Sequence, residues 1–420
     1  MKTWGRFGMV AALVIAFAAA HHLKTVKADG GPFQGEGGPY RVLAPIESGN
    51  LLLFPVVRAD VLADKEFAGE TPFITLDEGL KSGEVEVTEA GRARGLVRPR
   101  GPGSERAQDS GERGDEVNTL VLVNNSKRPL LLLAGEIVTG GKQDRIVAKD
   151  RIVPANANPI DLGVFCIEPG RWTESSANFG AAGKSAAKSF MVQPEVRERA
   201  MVDQDQQQVW DSVHGTISQL EVAATPPPAS GGSAPEGSSH RTLGTSSYAK
   251  AMQDSDVSRK VDEAAAPLMN AREQVLAQLR DEHAVGVVVA VRGEIIWADL
   301  FANTDLLSRY WTKLVRSYAA ESLTEGEDHA AATLADAQRF LDVPSGGTEN
   351  SEGEVGIYRY RELKSRGTET FVLESLLPGT GYDVHLSKMK LRGEESRNVK
   401  PHPTNQPIFR PDFYRPGTVQ

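Results

Sequence analysis

The sequence predicts an α+β protein with an antiparallel, strand-rich N-terminal part, a helical middle, and a C-terminal part made of a strand hairpin, a helix and further strands. Three observations lead to this class. Short apolar, β-branched runs bounded by Gly, Pro and Asn fill residues 51–167, which is typical of antiparallel strands. Apolar residues recur at spacings of three and four within 194–281, which indicates amphipathic helices. From residue 285 the pattern returns to that of strands.

The strands of the N-terminal part are predicted to be short. Pro55 lies within the first of them and favours an edge or a bulge, because proline has no N–H to donate. One helix, 76–82, interrupts the series. The predicted strands cover residues 51–57, 73–75, 85–87, 117–123, 129–133, 145–147, 151–153 and 160–167.

Two helical regions are predicted for the middle. The first begins near Pro194 and ends before the three prolines at 226–228, since proline suits a first helical turn and breaks a helix interior. The second covers 247–281 and is predicted to be interrupted near Pro267. The apolar stripe of the first region consists of Val209, Val213, Ile217 and Leu220.

The C-terminal part begins with the apolar run 285–291, which the tight turn at Arg292 and Gly293 joins to a partner strand at 294–297. Helices are predicted at 305–322 and 334–340, and strands at 355–362, 368–376 and 382–386. Asp299 follows the hairpin where a polar side chain can point into a cleft. His385 is a candidate general base, although a single histidine is more often structural.

Composition and charge exclude some classes of function. The 420 residues are 40% hydrophobic, which is enough to form a core. The mean hydropathy of −0.32 indicates that long polar stretches are also present. The formal net charge is −9. Nucleic-acid binding needs clustered excess Lys and Arg, and the sequence therefore predicts no nucleic-acid partner.

The N-terminus has the pattern of an export signal. Lys2 and Arg6 precede an apolar run at 8–20, which is too short for a membrane span. Residues 1–28 are predicted to be a signal peptide cleaved after Ala20 or Ala28, which gives a periplasmic or extracellular protein with no stable membrane span. Cys166 is the sole cysteine, so neither a lipid-attachment cysteine after the signal nor an intrachain disulfide is expected.

Candidate ligand-binding residues occur first between 135 and 145. Glycines at 135, 140 and 141 allow the backbone to bend, and Lys142 and Arg145 are suited to a phosphate or carboxylate. Glu136 could orient these cations or act as a base, with Gln143 beside them. The alternative is a charged hairpin in which Glu136 and Arg145 form an ion pair.

A second set closes the strand at 160–167. Glu168, Arg171 and Trp172 place an acid, a cation and an aromatic ring at one rim, which suits a nucleotide pocket. The alternative is a turn in which Glu168 bonds to Arg171 and Trp172 packs in the core. Cys166 is predicted to be a small buried core residue, because no histidine lies near it in sequence.

The sequence lacks the motifs of a phosphate-binding loop and of a metal site. The Gly180–Ser185 stretch fails as a phosphate-binding loop, since its first glycine is too close to the Gly-Lys-Ser end, and it is predicted to be flexible. The histidines show no paired ligand spacing. No metal site and no cofactor are therefore predicted.

Three segments resemble the ARPP-1 family, a domain associated with ADP-ribosylglycohydrolase and rhodanese-phosphatase proteins. They are GEIVTGGKQDR at 135–145, CIEPGRW at 166–172, and the Asp-Gln ahead of Val-Trp within 203–210. The resemblance implies an α+β domain in a setting of NAD and ADP-ribose metabolism. It also makes Gln207 a candidate to face the same cavity as Gln143.

On this basis residues 44–388 are predicted to be one ARPP-1-like domain. A flexible lead at 29–43 precedes it, and a disordered tail at 389–420 follows it. Disordered insertions are expected at 91–116 and 224–246, where Gly, Pro, Ser and charged residues dominate.

Two hypotheses of function follow, and the reaction, if there is one, stays unknown. The first is binding or processing of a nucleotide-derived small molecule, such as an ADP-ribose-like or related phosphorylated ligand. The second is a non-enzymatic envelope protein that binds a protein or glycan partner. The candidate ligand-binding residues are Glu136, Lys142, Gln143, Arg145, Glu168, Arg171, Trp172 and Gln207.

Overall fold

A computed structural model describes residues 40–58, 71–89, 119–171, 175–183, 185–225, 243–270, 284–342, 348–365, 367–378, 380 and 382–392. These residues form antiparallel-rich sheets and helices, which confirms the predicted α+β class and the strand-rich N-terminal part. Several predicted features lie outside the described residues: the signal peptide, the insertion at 91–116 and Trp172. Most of the lead, most of the insertion at 224–246 and most of the tail also lie outside them. Within the described part, no helix has the length and apolar character needed to cross a membrane.

The strands are β1 (Tyr40–Val42), β2 (Ile46–Ser48), β3 (Leu51–Arg58), β4 (Ile74–Thr75), β5 (Val85–Glu89), β6 (Thr119–Asn124), β7 (Leu130–Leu132), β8 (Ile137–Thr139), β9 (Arg145–Val147), β10 (Arg151–Val153), β11 (Ile160–Cys166), β12 (Gly180–Ala181), β13 (Ala284–Val291), β14 (Glu294–Phe301), β15 (Thr348–Glu354), β16 (Tyr358–Ser365), β17 (Thr368–Ser375) and β18 (Asp383–Lys390).

The helices are α1 (Leu76–Ser82), α2 (Pro194–Glu198), α3 (Gln206–Ala224), α4 (Tyr248–Gln253), α5 (Ser255–Asn270), α6 (Thr304–Ser322) and α7 (Leu334–Leu341). A π-helical turn, Arg199–Asp203, continues α2, and a 3-10 turn covers Ala186–Lys188.

The largest sheet joins the two ends of the described chain. Its strand order is β1-β3-β13-β14-β18-β17-β16-β15, and β2 also pairs with β3. β3 pairs with β13 along its length, so residues before 60 and after 284 share one sheet.

Pro55 lies inside this large sheet and not at its edge, so the edge position expected for it is wrong, while the alternative of a bulge fits the register shift of β13 opposite Val56 and Val57. On one side of β3 the partner changes from β2 to β1, and Pro55 lies at the change. Its carbonyl accepts a hydrogen bond from the Leu43 N–H (2.7 Å). Because an N–H would point to that same side, between two partner strands, proline removes no bond of the sheet ladder.

The N-terminal strands form two smaller sheets. One has six strands in the order β12-β8-β9-β11-β6-β5, and the other has three in the order β10-β7-β4, with β4 and β7 parallel. β12 lies in the stretch expected to be flexible. That expectation is wrong, because Gly180 and Ala181 pair with Thr139 and Val138 of β8.

Helix α6 contributes more buried residues than any other helix of the described chain. Fifteen of its residues are buried, and they belong largely to one apolar core together with β3, β13, α3 and α5. Burial of most of the circumference is expected for a helix enclosed by other elements on several sides. Polar residues on α6 must therefore find partners inside the protein.

The second helical region is divided at a different place from the one predicted. The break falls at Asp254, between α4 and α5, and α5 continues through Pro267 to Asn270. Asp254 accepts hydrogen bonds from the N–H groups of Asp256 and Val257. A carboxylate that takes these first-turn donors favours a new helix start, and Pro267 lies inside α5.

Candidate functional site

The β8–β9 hairpin carries the first set of candidate residues. Gly140 and Gly141 connect the two strands with φ of 140° and 51°, which favours glycine. A Cβ on Gly141 would lie 2.3 Å from Phe179 Cζ and 2.5 Å from Glu89 Oε1. The close approach of β5 and of the segment before β12 therefore requires glycine at position 141.

A polar network forms where this hairpin meets the end of β11 and the start of α4. We call it the hairpin network. At its centre Arg171 Nη2 lies 3.3 Å from Asp144 Oδ1, and Arg171 Nη1 donates to the Gly141 carbonyl at 3.0 Å. The network consists of Asp144, Glu168, Arg171, Ser247 and Lys250.

Glu168 organises the cations of this network. It is 2% exposed, and its two oxygens lie 2.5 Å from Arg171 Nε and 3.0 Å from Lys250 Nζ. The Glu168–Arg171 bond is the one expected for the turn alternative. The Lys250 side chain is 61% exposed, so the network reaches the protein surface at this residue.

Asp144 is the carboxyl group of the network with a shifted pKa. Burial raises its pKa, and the neighbouring Glu168 raises it further. Hydrogen bonds from the Gly140 N–H (3.1 Å) and the Ser247 hydroxyl (3.0 Å) act in the opposite direction. A carboxyl group of this kind holds a proton nearer neutral pH than an exposed aspartate does.

The remaining residues of the hairpin have different surroundings. Lys142 is exposed, and its N–H donates to Glu89 at 3.0 Å. Arg145 is fully buried, donates to the Gln143 carbonyl at 2.5 Å and lies 3.9 Å from Glu89. Gln143 is fully buried too, and neither atom of its amide has a hydrogen-bond partner among the described residues.

Glu136 belongs to another group of charges. It is fully buried and lies 2.5 Å from Lys313 Nζ of α6, which is 2.7 Å from Asp77 of α1. These two carboxylates raise the pKa of Lys313 above its usual value, although burial lowers it. Glu136 thus pairs with Lys313 and not with Arg145, so the alternative of a Glu136–Arg145 ion pair is wrong.

Gln207 points away from the hairpin. It is exposed on α3 and donates to Asp211 at 2.8 Å, so it does not face a cavity with Gln143 as expected. Its neighbour Gln206 contacts the end of β11 instead, where its amide bonds to both the N–H and the carbonyl of Cys166 (2.9 Å each). Cys166 is buried as predicted, and burial raises the pKa of its thiol.

Comparison with known proteins assigns the family. The family model described as "ARG and Rhodanese-Phosphatase-superfamily-associated Protein domain", ARPP-1, matches residues 39–389. The chain belongs to the ARPP-1 family. No curated protein and no solved structure matches it.

The ARPP-1 domain contains a second polar group, which sequence reasoning found only in part. We call it the buried cluster. Asp299 of β14 lies at its centre, with its oxygens 2.9 and 3.2 Å from the guanidinium nitrogens of Arg197. All members are at most 1% exposed: Asp150, Arg197, Asp299, Tyr318, His385 and Ser387.

His385 bridges two carboxylates in this cluster. Its Nδ1 lies 2.6 Å from Asp150 Oδ2 and its Nε2 lies 3.2 Å from Asp299 Oδ1. Burial opposes ionisation of Asp299, yet Arg197 and His385 hold its pKa well below the usual range. With the ring protonated, two cations balance two carboxylates, and such balance is what a buried ionic group requires.

Two residues of the buried cluster were singled out from the sequence, with other roles. Asp299 lies within β14 and is buried, so it does not point from a strand end into a cleft. His385 is enclosed by Asp150, Asp299 and the ring of Phe301, whose centroid lies 4.6 Å away. A ring without solvent contact fits the structural interpretation. Within the described residues of the ARPP-1 domain, no His, Cys, Asp and Glu group is arranged to hold a metal ion.

We expect the domain to lose stability at alkaline pH because of His385. Burial lowers the pKa of His385, but Asp150 and Asp299 outweigh it and raise the pKa from 6.5 to about 9. Because the folded pKa is the higher one, this stabilisation is complete below pH 6.5 and is lost as pH rises through about 9. The difference corresponds to roughly 3 kcal/mol.

Urea unfolding at pH 6 and pH 10 measures this effect. The free energy of unfolding of the wild type should fall between the two pH values by roughly 3 kcal/mol more than that of His385→Gln. His329→Gln, which changes a surface histidine, should behave as the wild type. Equal losses in the wild type and in His385→Gln would show that His385 is not charged in the folded state.

Proposed function

We propose that this ARPP-1 domain binds a small phosphorylated ligand of the ADP-ribose type at the rim of the hairpin network. The observation that carries the proposal is the position of three cations. Lys142 follows Gly141, and the Gly141 carbonyl accepts a hydrogen bond from Arg171. Arg171 and Lys250 each bind one oxygen of Glu168. The backbone at Lys142 and the side chains of Arg171 and Lys250 therefore belong to one network.

The charge of this rim suits an anion. Glu89 and Arg145, which lie 3.9 Å apart, belong to the same region, so four cations (Lys142, Arg145, Arg171 and Lys250) face three carboxylates (Glu89, Asp144 and Glu168), an excess of one unit. Lys142 is exposed, and no side-chain partner for it is found among the described residues. Buried carboxylates hold Arg171 in position, so its guanidinium is oriented before a ligand arrives, and preorganised charge-assisted bonds are the strong ones.

Two further features support the proposal. The unpartnered amide of Gln143 lies one residue from Asp144, and a buried amide usually has a partner, either protein, water or ligand. The name of the family associates it with ADP-ribosylglycohydrolases, whose ligands contain a ribose and phosphates. A role in binding needs no catalytic group.

A thermal-shift panel tests the proposal. The ligands are ADP-ribose, NAD, ribose 5-phosphate and, as a control without phosphate, adenosine. We expect ADP-ribose to raise the melting temperature of the wild type, since a ligand that binds only the folded state stabilises it by mass action. Adenosine should give no shift.

Charge variants locate the site. Lys142→Gln and Lys250→Gln should each reduce the shift with ADP-ribose. Lys142→Gln should leave the melting temperature of the free protein nearly unchanged, because its side chain is exposed, whereas Lys250→Gln should lower it, because Lys250 also pairs with the buried Glu168. Lys81→Gln removes an exposed lysine at the end of α1 and should retain the full shift. A panel without any shift would leave a protein or glycan partner as the better hypothesis.

A further inference from the structure

A cavity of about 620 Å³ lies between α4, α5, α6 and the segment that follows β12. Its volume is in the range of pockets that hold small molecules. Helix α4 separates it from the hairpin network, since Lys250 joins the network whereas Met252 and Gln253 line the cavity. The cavity therefore has surroundings of its own and is independent of the proposed ADP-ribose site.

One part of the cavity lining is apolar. Phe190 and Met252 are each 1% exposed, and Ala266 of α5 lies on the same lining. Gly183 is also there, with φ of 110°, and a Cβ on it would lie 2.4 Å from the Lys188 carbonyl. This glycine lets the chain fold tightly back on itself, which brings Lys188 to the cavity.

Another part carries two cations held by one carboxylate. Asp262 of α5 binds Arg316 of α6 and lies 3.1 Å from Lys188 Nζ. The Arg316 side chain is only 3% exposed, and its Nε has no hydrogen-bond partner among the described residues. Two cations against one carboxylate leave an excess of one positive charge beside the apolar lining.

The other charged residues of the lining compensate one another. Arg259 lies 2.8 Å from Glu263 in the same helix, and also approaches Asp256 at 3.6 Å. Among the residues that line the cavity, three cations face two carboxylates, and the excess positive charge lies near Lys188 and Arg316. The hydroxyls of Ser255 and Ser258 add neutral polar groups.

We propose that this cavity binds a small amphipathic anion with one carboxylate, sulfonate or phosphate monoester group. The anionic group would lie against Lys188 and the guanidinium of Arg316, the two cations that share Asp262. The apolar body would lie against Phe190, Met252 and Ala266. A ligand with no apolar body would leave that lining in water, so inorganic phosphate should bind weakly.

The fluorescent anion 8-anilinonaphthalene-1-sulfonate is the probe that tests this proposal on the full chain. We expect saturable binding that 4-phenylbutyrate or phenyl phosphate displaces and inorganic phosphate does not. Lys188→Gln should lower the affinity for the probe about tenfold, as expected for the loss of one charge-assisted bond. Lys260→Gln, a lysine of α5 outside the cavity, should bind the probe as the wild type does.

A second variant tests the apolar lining. Ala266→Phe should place a ring on the apolar lining, where the body of the ligand would lie, and should abolish displaceable binding, while circular dichroism checks that the variant is folded. Wild-type affinity in Lys188→Gln, or binding that phenylbutyrate and phenyl phosphate do not displace, would overturn the proposal. Lys188→Gln changes an exposed side chain, so its result stands even if Ala266→Phe fails to fold.

Discussion

Arg197→Met should lower the free energy of unfolding by about 3–5 kcal/mol, the cost of leaving a buried charge without its partner. Arg197 is fully buried, binds both oxygens of Asp299 and lies 4.5 Å above the ring of Trp297. Methionine fills similar volume and removes the positive charge. The remaining Asp150, His385 and Asp299 would then carry an excess negative charge in the core.

Two controls isolate this effect. Arg199→Met removes an arginine two residues along the chain whose side chain is 25% exposed and pairs with Asp203, and it should cost less than about 1 kcal/mol. Asp299→Asn combined with Arg197→Met restores the charge balance, so the double variant should lose less than the sum of the two single losses. Urea denaturation gives all four values. A loss below about 1 kcal/mol for Arg197→Met would contradict the role given to the buried cluster.

Gly135→Ala should also lower the free energy of unfolding by about 3–5 kcal/mol, through a left-handed backbone and steric overlap. Gly135 has φ of 89°. A Cβ there would lie 2.5 Å from Arg197 Cγ and 2.8 Å from Arg197 Cδ. Because the buried cluster fixes the arginine from its other end, the side chain has little freedom to move aside.

Gly170→Ala is the matched control for Gly135→Ala. Gly170 has nearly the same φ, 91°, but a Cβ on it would meet nothing within 4 Å. Its replacement should cost about 1–2 kcal/mol, the backbone strain alone. Equal losses for the two variants, measured by urea denaturation, would mean that contact with Arg197 is not what requires glycine at position 135.

Elements with a local signal could be predicted from the sequence. Helix α1 forms at the predicted residues because Thr75 and Glu78 make a reciprocal capping box and Gly83 ends the helix in the left-handed conformation. The hairpin of β13 and β14 was predicted from its apolar run and from the turn at Arg292 and Gly293, which have φ of 52° and 82°. In both cases the deciding interactions lie within a few residues of one another.

Strand β15 had no such signal. Its sequence, TENSEGE, has no apolar residue, and nearly all of it is exposed. Pairing with β16 forms the strand, and Glu352 and Glu354 make ion pairs with Lys149 and Arg151 near β10. Hydrophobic periodicity cannot detect a strand of this kind, because neither of its faces is buried.

Contacts between polar residues could be predicted only where the two residues lie close together in sequence. Glu168 and Arg171 are three residues apart, and their contact was foreseen as one of two alternatives. Lys313 lies 177 residues from Glu136, and no local pattern on α6 connects them. The sequence of α6 also contains Asp305, Arg309, Arg316 and Glu321, so it does not single out Lys313 as the lysine that is buried and needs a carboxylate partner.

Calorimetric titration of ADP-ribose into the full chain tests the proposed function most directly. The wild type should bind it with a measurable heat, and Lys142→Gln/Lys250→Gln should bind it at least about tenfold more weakly, because two charge-assisted contacts are lost. Lys81→Gln should match the wild type. Equal affinity of the wild type and the double variant, or no binding to either, would contradict a phosphate-binding rim at the β8–β9 hairpin.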